Sequence, residues 1–147
     1  MNRAFWFIVL LPLFMGCHSD IVTTKHLKAI KNRCVYIEPI ESQDPYVGKV
    51  IRDVFEKEFV RKGVRMCDAK TANIVITGST FMTVRSSGKK DWFGGKDSSA
   101  QSIESLTIAV KDKAGNVLIT ASYDNREQYT ASKLGQEFGK ELADRLM

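Results

Sequence analysis

Apolar and polar positions follow several distinct patterns along this chain. An unbroken apolar run from Ala4 to Met15 follows Arg3 and ends at Gly16 and Cys17. It falls short of the ~20 residues that span a bilayer, so it reads as an export signal and not as a spanning helix. Further on, β-branched and aromatic residues alternate with polar ones. Cys34 to Ile40 marks a first strand, Val64 to Cys67 a short second and Ile74 to Val84 a long third. Ser102 to Asp112 is a fourth strand and Val117 to Tyr123 a fifth, joined as a hairpin by Lys113-Ala114-Gly115-Asn116. Pro39 limits pairing near the end of the first. Helical periodicity replaces alternation in two places. Asp44-Pro45 is a cap followed by a first-turn proline, after which Val47, Val50, Ile51, Val54, Phe55 and Phe59 share one side as far as Lys62. Gly63 supplies the left-handed stop. From about Ser132 to Met147, Leu134, Phe138, Leu142 and Leu146 form one row beside a smooth row of Gly135, Gly139 and Ala143.

The order β-α-β-β-β-β-α predicts an α/β domain of the two-layer α+β kind: a mixed sheet of about five strands with both helices on one face. Its expected core includes Val35, Ile37, Val50, Ile51, Val54, Ile74, Ile76, Leu106, Ile108, Val110, Ile119, Phe138 and Leu142. Tyr36, Thr77, Ser79, Phe81, Thr107, Thr120 and Ser122 would line the opposite face, which is either solvated or receives a partner. Residues 1–16 read as the signal, 17–33 as a lipidated cysteine with a polar tether, and 34–147 as a single domain. Within the tether, Lys25 to Lys31 has partial helical periodicity and is read as plain linker or as a basic strip on headgroups. The segment 85–101, RSSGKKDWFGGKDSSAQ, is a long flexible loop of the kind that is uncommon in compact domains unless it has a function or is disordered. Trp92-Phe93 at its centre needs an apolar seat on this protein, on a partner or at a bilayer interface.

Charge adds little to this. The formal net charge is +5 over 147 residues, and removing 16 residues with Arg3 leaves 131 residues at +4. That length suits one domain, and the surplus is a mild bias toward anionic lipid, lipopolysaccharide or glycan, not a nucleic-acid footprint. With Cys17 acylated, Cys34 and Cys67 remain, either as a bridge or as two buried thiols. His18 and His26 do not sit at ligand spacing from a cysteine pair, so no metal or other cofactor is expected. Gly94-Gly95-Lys96-Asp97-Ser98-Ser99 lacks the spacing of a phosphate loop and lies between two strands. Glu58 interrupts the apolar side of the first helix, and a pair with Lys62 accounts for it. The Gly135-x3-Gly139 spacing suits close approach of helix to sheet. No nucleophile with a base, paired carboxylates or metal set emerges, so the chain is expected not to be an enzyme.

Two resemblances sharpen the reading. Leu13-Phe14-Met15-Gly16-Cys17 resembles the lipobox of bacterial lipoproteins, in which the Cys thiol takes a diacylglycerol and becomes the mature amino terminus. The stretches VYIEPIESQDPYVGKVIRDVFEKEFVRKGVRMCD, ANIVITGSTF and IESLTIAVKDKAGNVLITASYD resemble a group of small envelope lipoproteins. That group includes the lipopolysaccharide-assembly lipoprotein of the outer-membrane translocon, the curli-secretion lipoprotein, the penicillin-binding-protein activator lipoproteins and the amino-terminal domain of TolB. The resemblance implies a non-catalytic accessory factor, lipid-anchored through Cys17 on the periplasmic side of a bacterial membrane. His18 after the cysteine favours the outer membrane. Lipopolysaccharide assembly is the leading role, with secretion or synthase activation as alternatives and an envelope enzyme with an unrecognised site as the competing class. The implied partner is an envelope β-barrel or synthase, with lipopolysaccharide itself a further one. Lys89, Lys90 and Lys96 would then meet phosphates, while Trp92 and Phe93 meet acyl chains or a barrel wall.

Overall fold

The structure, a computed structural model, describes residues 19–85, 100–124 and 129–147. Among the described residues nine elements follow in chain order, counting one 3-10 turn. Strand β1 (Ser19–Thr23) leads into the 3-10 turn Lys25–Ala29, then β2 (Val35–Ile37) and β3 (Glu41–Ser42). Helix α1 (Pro45–Lys62) precedes β4 (Ile74–Arg85), β5 (Ala100–Asp112) and β6 (Val117–Asp124), and α2 (Ala131–Leu146) closes the described chain. One mixed sheet runs β1-β6-β5-β4-β2, with β3 also paired to β4. The fold is the two-layer α+β arrangement that the periodicity predicts.

Local chemistry explains the helices. Asp44 accepts from the Tyr46 amide at 2.9 Å, Pro45 occupies the first turn, and Gly63 at φ 84° ends α1 with its N–H on the Phe59 and Val60 carbonyls. Thr130 caps α2 by accepting from the Lys133 amide at 3.3 Å. Ile51, Phe55 and Phe59, one turn apart, are fully buried, as are Ile74 and Ile76 of β4 and Leu106, Ile108 and Val110 of β5. Val50 and Val54, expected in the core, are only half-buried. They flank the apolar stripe of α1, and Val54 lies against α2 at Gly135. A Cβ at Gly135 would lie 3.2 Å from Val54, and one at Gly139 3.0 Å from Phe55. The smooth row of α2 thus brings the two helices together, and not helix and sheet as its spacing had suggested.

Several readings need correction. Residues 19–33 are not a free tether, because β1 pairs antiparallel with β6 from Ser19↔Tyr123 to Thr23↔Ile119. With Ile21 as its single inward apolar residue, β1 gains its backbone partners from an edge that only the tertiary fold supplies. The first strand divides into β2 and β3, both parallel to β4, because Pro39 between them has no N–H to offer the ladder. The expected strand 64–67 is a single bridge between Met66 and Val35, fixed by Val35 N–H to the Arg65 carbonyl and Cys67 N–H to the Val35 carbonyl. The sheet therefore has six strands, not five. Glu58 is buried and ion-pairs with Arg61, while Lys62 reaches Asp144 of α2 at 2.6 Å. The helical turn offers Glu58 a neighbour at i+3 and leaves Lys62 free for the other helix.

Candidate functional site

The sequence offers two candidate places of action, Cys17 and the loop with Trp92-Phe93, and strand register relates them. Cys17, Lys89, Lys90, Trp92, Phe93 and Lys96 lie outside the described residues. Only His18 separates Cys17 from Ser19, the first residue of β1, so chain geometry holds their Cα atoms within about 8 Å. Ser19 pairs with Tyr123, Tyr123 with Leu106, and Leu106 with Thr80, which defines one level across the sheet. Beyond that level β4 and β5 stay paired from Met82↔Ile103 to Arg85↔Ala100, and the stretch carrying the loop candidates joins their far ends. The fold thus gathers the point where the chain leaves Cys17 and the base of the loop at one end of the sheet. A bulge at Phe81/Met82 resets the alternation there, which is why buried Ile103 and Leu106 stand three apart.

Aromatic packing keeps this end firm. Tyr123 stacks on Tyr129 at 5.9 Å and meets Phe138 edge-on at 6.1 Å, tying β6 to the start of α2. The Lys133 ammonium lies 4.2 Å from the Tyr129 ring centroid. Sequence reading missed Tyr129 and Lys133, and their only signal was an aromatic and a lysine beside the helix start.

The sheet face away from the helices is open. Phe81 is 51% exposed and Val22 62%. A shallow groove of about 360 Å³ on this face is lined by Glu38, Thr77, Ser79, Thr107, Ala109 and Lys111. Thr77 Oγ1 donates to the Ala109 carbonyl at 3.4 Å. Tyr36 is not a free contact point: it is half-buried, with the Arg52 guanidinium 6.0 Å from its ring centroid. Cys34 and Cys67 form a disulfide with Cα atoms 5.7 Å apart, tying the start of β2 to the segment after α1.

Among the described residues, clear electrostatic perturbations fall on hydrogen-bonded carboxylates near the surface and on one ion pair. Amide and hydroxyl donation from Thr71 holds the Asp68 carboxyl below the usual range. The Asn116 side chain, with backbone amides of the turn, does the same for Asp112. Lys49 and Asp53 stabilise each other's charged forms along α1 at 2.5 Å, which raises the lysine pKa and lowers that of the aspartate. Among the described residues no group of three or more His, Cys, Asp or Glu side chains could hold a metal ion, and no helix is long and apolar enough to cross a membrane.

No protein-family model matches the chain, and no curated protein matches it. Among solved structures, the chain is similar to the PelC dodecamer from Paraburkholderia phytofirmans, with TM-score 0.54 and 12% identity over 87% of this chain and 95% of that one. It is also similar to a PDZ domain protein from Parabacteroides distasonis, with TM-score 0.55 and 12% identity over 85% of this chain and 34% of that one. A minor lipoprotein from Acinetobacter baumannii superposes more loosely, with TM-score 0.41 and 13% identity. At these identities the likeness is one of fold, and this chain shares that fold with a PelC chain over nearly its whole length.

Proposed function

We propose that this chain is a non-catalytic, lipid-anchored accessory protein of a bacterial envelope that works by associating with another envelope component. The observation that carries the proposal is the direct connection of the lipobox-like Cys17 to the sheet edge through His18 alone. A diacylglycerol on that thiol would hold this end of the domain at the membrane surface with almost no slack. The base of the loop with Lys89, Lys90, Trp92, Phe93 and Lys96 belongs to the same end, which supports a role for those residues in contacts at that surface. Outer-membrane sorting is part of the proposal and rests on His18. Lipopolysaccharide assembly is the pathway that the cationic and aromatic loop suits, with lysines on phosphates and aromatics on acyl chains. A second reading, a ring-forming accessory of secretion, is favoured by the fold shared with the PelC dodecamer.

Metabolic labelling with a palmitate analogue tests the anchor. The wild type should be tagged and sediment with membranes, and Cys17→Ser should lose both properties. A Cys17→Ser protein that stays labelled and membrane-bound refutes the proposal. Capture from detergent-solubilised membranes then separates the pathways. A large β-barrel partner supports lipopolysaccharide assembly, a synthase supports activation, and a closed ring of copies supports secretion. Replacing Trp92 and Phe93 with Ser should weaken capture, and unchanged capture removes the loop from the mechanism.

A further inference from the structure

The strand order places β1 and β2 at opposite edges of the sheet. Residues 24–34 therefore cross the whole end of the sheet, four strand spacings or about 19 Å. They cross at the end opposite to the one where the chain leaves Cys17. This strap closes the core from below. Leu27 is buried, and Ile30 packs against the core cluster. Arg33 fastens it: Nη1 donates to the Leu146 carbonyl at 2.8 Å, Nη2 to Leu27 at 3.1 Å and Nε to Ile30 at 3.3 Å. All three acceptors are neutral carbonyls, so these bonds bring no carboxylate to the guanidinium at this end of the fold.

Other segments bring further cations to the strap. Lys25, Lys28 and Lys31 are exposed along it. Asn73 Nδ2 donates to the Lys31 and Asn32 carbonyls, which draws in the turn with Lys70. Lys113 Nζ lies 3.5 Å from the Lys70 carbonyl. Arg65 is held beside β2 by its carbonyl, and with Asn32 and Arg33 it lines a groove of about 490 Å³. Of the nearby carboxylates only Asp144 is paired with a cation, while Asp68 and Asp112 keep their charge and are outnumbered by the cations of this end. Asp68 accepts from the Lys70 and Thr71 amides and the Thr71 hydroxyl, Asp112 from Asn116, and Asp144 from Lys62. Among the described residues, Lys25, Lys28, Lys31, Arg65, Lys70 and Lys113 make no ion pair.

We propose that this strap end is a binding surface for an anionic polysaccharide, a chain with repeated carboxylates or phosphates. The cations stand in a broad exposed row, which suits many weak contacts along a polymer better than one tight contact to a small anion. The protein's own membrane is a poor match, because the five residues of β1 put about 17 Å between the anchored end and the strap. That last step, and the choice of a glycan among polyanions, rests on the envelope reading proposed above. The charge arrangement itself does not.

The test uses the full acylated chain in neutral detergent, with labelled polygalacturonate as the carboxylate probe and labelled dextran phosphate as the phosphate probe. Binding is followed by fluorescence anisotropy from 50 to 300 mM NaCl, as order-of-magnitude limits for screening. At least one polymer should bind and weaken steeply with salt, and the stronger of the two identifies the chemistry. The triple variant Lys25→Glu, Lys28→Glu, Lys31→Glu should weaken binding by about tenfold or more and flatten the salt dependence. Lys49→Glu with Lys57→Glu, on α1, should change it less than about twofold. Arg65→Gln with Lys70→Gln gives an independent reading from other segments and decides the matter if the triple variant melts early. Equal losses in the strap and α1 variants, or no binding of either polymer, overturn the proposal. So does a surface that captures phosphatidylglycerol vesicles through the strap lysines while ignoring both polymers. Cys17→Ser should bind the polymers like the wild type. A failed palmitate label with intact polymer binding therefore refutes only the anchor, and a labelled protein blind to polymers refutes only this surface.

Discussion

Alanine at Gly48 should destabilise the domain, although a helix interior ordinarily favours Ala over Gly by about 1 kcal/mol. A Cβ at this position would sit 2.2 Å from the Ile40 carbonyl oxygen and 3.4 Å from Ser42 Cβ. Carbon–oxygen contacts normally begin at about 3.3 Å, so roughly 1 Å of separation has to be found. Neither side yields easily. Ile40 is buried, the Glu38 amide donates to the Ile76 carbonyl at 2.9 Å, and Ser42 is paired with Thr80. Helix α1 is pinned in turn by Ile51, Phe55 and Phe59, all fully buried. An overlap of about 1 Å with a backbone oxygen belongs in the upper part of the overpacking range, about 2–3 kcal/mol. A net loss of about 1–2 kcal/mol remains after the propensity gain, or roughly 3–10 °C in melting temperature for a domain of this size. Urea titration followed by circular dichroism should show a lower midpoint with an unchanged slope. Ala at Gly135, where the nearest atom is Val54 Cβ at 3.2 Å, should be milder. An unchanged or raised midpoint for Gly48→Ala would refute the seating of α1 on the Ile40 carbonyl.

Other predictions follow from single features. Replacing Cys34 and Cys67 together with Ala should cost about 3–4 kcal/mol, since the bridge closes a loop with a sequence separation of 33; reductant should lower the wild-type urea midpoint and leave the variant unmoved. Ile76→Ala or Ile108→Ala, both fully buried in the sheet, should each cost ~2–5 kcal/mol in the same titration. Donation from Asn116 depresses the Asp112 carboxyl, so its contribution is present above the ordinary carboxylate pKa of about 3.9 and is lost as pH falls through the lower folded value. Asp112→Ala should therefore lower the midpoint at pH 7, with the gap to wild type closing below about pH 4. A gap that persists into strong acid would show that the carboxylate acts otherwise.

Much of this protein was legible in local sequence, because local physics decides it. Asp44-Pro45 and Gly63 bound α1 through groups within a few residues of themselves. The turn Lys113 to Asn116 and the alternation in Ile74–Arg85 needed no distant partner to be recognised. Strand β1 was not legible, since Ser19-Asp20-Ile21-Val22-Thr23 reads as polar linker until the edge of β6 offers hydrogen bonds to it. The strap across the sheet end was hidden for the same reason: only the strand order puts its two ends at opposite edges. The cations around it come from separate segments, so their convergence is invisible to any local count of charge. Gly135 and Gly139 announced a close approach, but which element approaches depends on both helices sharing one face of the sheet. The sequence by itself determined both helices, the long third strand and the hairpin after it. Long-range pairing, which fixes who lies beside whom, decided the edge strand, the partner of the smooth helix row and the charged end.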